Sequence, residues 1–355
     1  MLHPPATHEE GKWPLMIFSH GVGCSRLMYS AFCGEMASRG YVVVAIEHRD
    51  GTSPSSRITG ADGTRRTLDW LQWSDLTWPD LPEQPKDDTI LRHSQIAFRC
   101  AEVEGVVDVM RRIAKGEDVA RHGVAAPKFD WSRGWSAIDA DAPIMAGHSL
   151  GGSVAVCFPA YTWRPESRLT NRFQLVISAK DEIPWRSVIA FDPAVQRLDP
   201  WYGALKHPLL VVNSEEYTVG AEYRIFVEQV AGTVENVRED EPFVLSIPGA
   251  THPSFSDVFL ILPEYINKLT GLRVDSHVVV DAAVQTSADF LAGRLDAIKS
   301  RAVVYNPHPK TELQVGEGHN GEEVAKAVRP VRPVGKPGQL IWHIFKDDSA
   351  SATPQ

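Results

Sequence analysis

No stretch of this sequence approaches the roughly 18 consecutive apolar residues that a bilayer-crossing helix needs, so only surface contact with a membrane is open to it. Cysteine is scarce. The four, Cys24, Cys33, Cys100 and Cys157, lack the paired CxxC spacing of a zinc site and read as partly buried structural thiols. Basic charge is also short: 36 Lys and Arg stand against 45 Asp and Glu, with no stripe that would gather cations for phosphate, which argues against a nucleic-acid partner. The nearest approach, Arg329-Pro-Val-Arg332-Pro, reads as an extended tail. HExxH, clustered carboxylate ligands and GxGxxG are all missing, so neither a metal nor any other cofactor is expected. The first residues, Met1-Leu-His-Pro-Pro-Ala-Thr-His8, have no positive region and no apolar region of a secretory signal, which makes the cytoplasm the expected location.

What is present is a series of short, continuously apolar runs. Pro14–Ser19, Tyr41–Ile46, Ala142–Ala146, Ser187–Phe191, Pro208–Asn213 and Phe243–Ile247 have the composition of strands buried on both faces of a parallel sheet. Helical periodicity lies between them, over about Leu27–Ser38, Thr89–Lys115 and Gly152–Phe158, and again over Ala282–Ser300. Strands alternating with helices predict an α/β architecture, a mostly parallel central sheet covered on both faces. A chain of 355 residues suffices for one large domain. We place it at 1–300, with residues 51–90 as an irregular excursion over the sheet and 301–355 as a Pro-, Gly- and charge-rich tail.

The chemistry concentrates where strands end. A serine hydroxyl attacks an acyl carbon only with a base in reach and donors aimed at the developing oxyanion. Gly147-His148-Ser149-Leu150-Gly151 directly follows an apolar strand and precedes a helix, the setting in which a Gly-x-Ser-x-Gly elbow lifts its serine above an α/β-hydrolase sheet. In that fold the acid and then the histidine follow at the ends of later strands. Asp192 ends Ser187–Phe191, and His252 follows the strand ending at Ile247. Asp181, Asp199 and Asp257 are rivals for the acid, and Asp192 is preferred on position alone. The oxyanion amides would be those of Val22, in the turn His20-Gly-Val-Gly23, and Leu150. Among 13 histidines, His20 and His48 read as loop-anchoring hydrogen-bonders, and His148 as directed away from the pocket.

Phe18-Ser-His-Gly21, Tyr29-Ser30, Ala37-Ser38, Glu47-His-Arg-Asp-Gly51, Gly147-His-Ser-Leu-Gly-Gly152 and Gly249-Ala-Thr-His252 together resemble the platelet-activating-factor acetylhydrolase family from about Trp13 to about Leu262. The resemblance implies a calcium-independent, phospholipase A2-type serine esterase that releases a short or oxidised sn-2 acyl group from phospholipid. It also implies the triad Ser149, Asp192 and His252. Members of the family carry further sheet strands ahead of the Ser-His-Gly motif, whereas about a dozen residues precede that strand here. The first N-terminal strands of the sheet are therefore expected to be missing. The alternatives are a general carboxylesterase or peptidase of the same fold, or an inactive scaffold. Trp70, Leu71, Trp73, Leu76 and Trp78 form either a lid over the site or a surface that touches lipid.

Overall fold

The computed structural model describes residues 11–60, 62–79, 81–117, 119, 135–160, 183–198, 205–229, 242–305, 313–317, 323–327 and 335–344. Its strands are β1 (Trp13–Ser19), β2 (Val42–Ile46), β3 (Ser55–Thr59), β4 (Arg65–Asp69), β5 (Ile138–His148), β6 (Ser187–Phe191), β7 (Leu209–Ser214), β8 (Phe243–Ile247), β9 (Ala302–Tyr305), β10 (Leu313–Glu317), β11 (Glu323–Ala327) and β12 (Leu340–His343). Eight of them form the central sheet in the order β2-β1-β5-β6-β7-β8-β12-β9. Every pair from β2 to β8 is parallel, and β12 turns antiparallel to β8 and parallel to β9. This is an α/β-hydrolase fold with a mostly parallel sheet.

The apolar runs are continuous because both faces of each strand meet a helix layer. Leu15 and Ile17 of β1 pack with Met145, Val188 and Val211 against α2 (Thr89–Ala114) and α3 (Leu150–Ala160), through Ile96, Val103 and Val154. Met16 and Phe18 take the other face with Ile144, Ile189 and Leu210, against Phe32 and Met36 of α1 (Ser30–Ser38) and Val279 and Val284 of α4 (Ser276–Leu291). Among the described residues no helix is long and apolar enough to cross a membrane.

Three segments differ from the sequence reading. The excursion after β2 is not wholly irregular: β3 and β4 pair as an antiparallel hairpin. Its turn is held by the Asp62 carboxylate, which accepts from the Thr64 amide and hydroxyl, and by Gly63 at φ 81°. The helix expected over 282–300 begins earlier and breaks. Gly293, at φ 70°, ends α4, and α5 (Leu295–Arg301) restarts beyond it. The segment 301–355 is not simply a tail. Its β9 and β12 complete the sheet, with Ile341 fully buried and the Trp342 ring stacked on Phe243 at 5.1 Å. Two four-residue strands that pair with distant partners leave little periodic signal in a Pro-rich context.

Candidate active site

β5 runs straight into Ser149, and α3 starts at the next residue. The turn between them forces Ser149 to φ 56°, a left-handed conformation that costs a non-glycine residue about 1–3 kcal/mol and persists only where its surroundings impose it. They do. The Ser149 amide donates to the Phe191 carbonyl at 3.0 Å, and its own carbonyl accepts from Ala194 at 3.1 Å and Ser153 at 3.0 Å. Both flanking glycines are required by close backbone approach. A Cβ on Gly147 would stand 2.2 Å from the Gly151 carbonyl oxygen, and one on Gly151 would stand 2.0 Å from that of Ser19.

Asp192 follows β6 at φ 41°, with its carboxylate fully buried. Its Oδ1 accepts from the Ser214 amide at 2.7 Å. Oδ2 accepts from the Ser214 hydroxyl at 2.6 Å and from His252 Nδ1 at 3.0 Å. His252 opens a short 3₁₀ turn, His252–Phe255, after the loop from β8, and its backbone amide donates to Glu216 Oε2 at 2.7 Å. Burial opposes a charged imidazole here, but the Asp192 hydrogen bond and charge, backed by Glu216 and Glu222, outweigh it and raise the His252 pKa above 6.5. The structure thus joins Asp192 to the histidine. The rival Asp257 is engaged elsewhere: it accepts from the Ser30 amide and hydroxyl and from the Ala31 amide at the start of α1. Asp181 and Asp199 lie outside the described residues.

The His20–Gly23 turn packs against the elbow, since a Cβ on Gly21 would come within 3.0 Å of Ser149 Cβ. Among the described residues, neither the Val22 nor the Leu150 amide has a hydrogen-bond acceptor of its own. The Tyr29 hydroxyl links loop to elbow, accepting from the Gly21 amide at 3.1 Å and sharing a hydrogen bond with His148 Nδ1 at 2.8 Å. His148 is expected from the sequence to be directed away from the pocket, and its side chain lies in the interior of the protein. Its ring stands 4.6 Å from that of His252, and burial, with His252 alongside, holds its pKa well below 6.5. Sequence reasoning also missed Ser214 and Glu216. Ser214 ends β7, the strand beside β6, so a polar residue at the carboxyl end of the neighbouring strand was the available signal.

Ligand-type atoms of His148, Asp192 and His252 fall within 4.8 Å of one another. Both Asp192 carboxylate oxygens already accept from Ser214 and His252, so a cation at this cluster would compete with those bonds for the carboxylate. Of the tryptophan-rich segment, Trp70 alone among the named side chains is exposed, at 45%, and Leu71, Trp73, Leu76 and Trp78 are half-buried. The Trp70 ring covers Gly23, whose added Cβ would lie 3.3 Å from it.

The sequence matches those of known proteins over much of its length. The chain is 27% identical over 297 residues to the platelet-activating factor acetylhydrolase of Gallus gallus, covering 80% of this chain and 62% of that protein. It is 27% identical over 289 residues to the protein of that name from Canis lupus familiaris, covering 80% and 57%. A putative phospholipase A2 of Schizosaccharomyces pombe is 32% identical over 114 residues, 32% of this chain and 24% of that protein. The chain spans about three fifths of the length of the acetylhydrolases it matches. A ferulic acid esterase from Streptomyces cinnamoneus is similar in structure at 18% identity and a TM-score of 0.47, over 79% of this chain and 66% of that one, a likeness too loose to add to the topology above. The family model described as platelet-activating factor acetylhydrolase, isoform II, matches residues 3–309, and the chain belongs to that family.

Proposed function

We propose that the protein is a serine esterase that hydrolyses the short or oxidised sn-2 acyl ester of phospholipids, with Ser149 as nucleophile, His252 as base and Asp192 as the group that orients the base. The observation that carries this reading is the Asp192–His252 hydrogen bond of 3.0 Å, beside a serine whose backbone is bonded to the very strand end that bears the acid. Ser149 is held at φ 56° between two sterically required glycines, and such strain collects at functional sites.

In this reading Ser149 Oγ attacks the ester carbonyl as its proton passes to His252. The carbonyl oxygen becomes an anion facing the amides of Val22 and Leu150, which have no other acceptor among the described residues. His252 returns the proton to the departing lysophospholipid oxygen, and water activated by the same imidazole releases the acid from the acyl-serine. Membership of the acetylhydrolase family supports an sn-2 phospholipid ester as substrate.

The test is fluorophosphonate labelling of the wild-type protein and Ser149→Ala, followed by hydrolysis of sn-2 acetyl and sn-2 palmitoyl phosphatidylcholines and a simple p-nitrophenyl ester. Labelling that requires Ser149, with the acetyl phospholipid preferred, is expected. Labelling with no turnover of either phospholipid would transfer the assignment to a general carboxylesterase. A folded wild type that does not label would remove the nucleophile.

A further inference from the structure

Behind the His20–Gly23 turn lies a buried polar cluster for which the proposed triad has no use. Arg99, from the middle of α2, is fully buried. Its Nε lies 2.7 Å from Asp50 Oδ2, Nη1 donates to the His20 carbonyl at 2.5 Å, and Nη2 donates to Thr52 Oγ1 at 2.6 Å. Beside it, His48 Nδ1 bonds to Glu102 Oε2 at 2.8 Å and Nε2 bonds to Ser19 Oγ at 2.7 Å. Ser19, His48 and Glu102 therefore have the connectivity of a second serine–histidine–acid triad. Ser19 and His48 have no exposure at all, so no ester reaches them, and the chain serves to hold His48 in place.

What His48 holds is the tautomer of His20. The His48 backbone amide donates to His20 Nε2 at 3.2 Å. A ring nitrogen that accepts carries no proton, so the proton of neutral His20 sits on Nδ1, which donates to the Gly21 carbonyl at 2.8 Å. Burial first, and then the Arg99 charge, push the His20 pKa down to about 2, which keeps the ring neutral. In a planar trans peptide the C=O and N–H groups point in opposite directions. Drawing the Gly21 oxygen down onto His20 turns the Val22 N–H away from the cluster, and the face of the loop away from the cluster is the one that abuts Ser149. The preceding peptide is pinned in the same manner, with its carbonyl on Arg99 and its Gly21 N–H on the Tyr29 hydroxyl.

We propose that His20 and Arg99 are positioning residues that aim the Val22 amide at the oxyanion: Arg99 pins the first peptide of the loop, and the His20 Nδ1–H pins the second. The proposal rests on the esterase reading above. Neither side chain touches substrate, and their effect falls on the transition state, because only there does the carbonyl oxygen carry the charge the amide meets.

His20→Gln and His20→Asn separate this role from simple packing. Asparagine presents an amide donor at the place of Nδ1, whereas glutamine presents one at the place of Nε2. Since loss of one oxyanion donor costs about 10²–10³-fold in kcat, His20→Gln is expected to lower kcat for p-nitrophenyl acetate about 100-fold with KM little changed, and His20→Asn to recover at least tenfold of that loss. Equal losses in the two variants, or an unimpaired His20→Gln, would overturn the proposal. A second measurement needs no variant to fold: ¹⁵N NMR of the wild-type imidazoles should find His20 neutral and protonated on Nδ1 from pH 5 to 8. An Nε2–H tautomer, or titration within that range, would also overturn it. Ser149→Ala is measured alongside. If it hydrolyses the ester like wild type, the esterase reading itself falls; if it is inactive while His20→Gln is unimpaired, only the positioning role falls.

Discussion

The rings of His148 and His252 lie 4.6 Å apart, one neutral and buried, the other the partner of Asp192. The residue before the candidate nucleophile thus stands in ring contact with the candidate base. Its own orientation is set by the Tyr29 hydroxyl, which also holds the Gly21 amide.

Tyr29→Phe would leave His148 Nδ1 and the Gly21 amide buried without partners. An unsatisfied buried group costs about 1–3 kcal/mol, so the urea midpoint should fall by a corresponding amount at unchanged m-value. Turnover should fall as well, because the loop and the elbow lose their common anchor. Unchanged stability would mean that water replaces the hydroxyl.

Asp192→Asn should keep the Ser214 amide bond to Oδ1 but present an N–H to His252 Nδ1, which disfavours the tautomer that a base for Ser149 requires. Analogous substitutions in serine hydrolases lower kcat by about 10⁴. A comparable loss, with the melting temperature preserved, is expected from steady-state rates. A loss below about tenfold would reopen the acid role.

The raised His252 pKa fixes the sign of the pH dependence. The base acts as neutral imidazole, so kcat/KM should climb with pH along a limb whose midpoint lies above 6.5. Glu216→Gln removes one of the charges that raise this pKa and should move the midpoint down while leaving the plateau nearly intact. Stability follows the opposite course. With the folded pKa above the unfolded value, the His252 contribution is complete below pH 6.5 and disappears as pH rises through the folded pKa. A pH–rate profile of both proteins, paired with denaturation at matched pH, checks the two signs together.

Trp70 covers Gly23 next to the Val22 amide, so it should wall the acyl side of the site. Trp70→Ala is expected to raise kcat/KM for sn-2 hexanoyl relative to sn-2 acetyl substrate several-fold, with vesicle flotation unchanged. Loss of flotation with unchanged acyl preference would assign the ring to lipid contact instead.

The parallel strands were legible because most of their length is buried on both faces and therefore apolar, as Leu15–Phe18 and Val188–Phe191 are. The elbow was legible for a related reason: two glycines bracket Ser149 where a Cβ would strike backbone oxygens, and sequence records such exclusions directly. The hairpin β3–β4 was hidden because Arg65–Asp69 is mostly exposed and carries no apolar alternation. The strands β9 and β12 were hidden because their pairing joins residues about 40 positions apart, a relation no local pattern encodes.

By itself, then, the sequence determined the order of the main strands, the turn that bears Ser149, and the chain positions of an acid and a histidine at strand ends. These depend on local chemistry: apolar runs, glycine, and the alternation of elements. Only the tertiary structure decided that Asp192 rather than Asp257 meets His252, that Ser214 and Glu216 flank that pair, and that Arg99 reaches His20 from a helix 79 residues away in the chain. Each of these is a polar contact between elements far apart in sequence. Such contacts leave no periodicity behind, and burial makes them strong only once the sheet has brought the strand ends together.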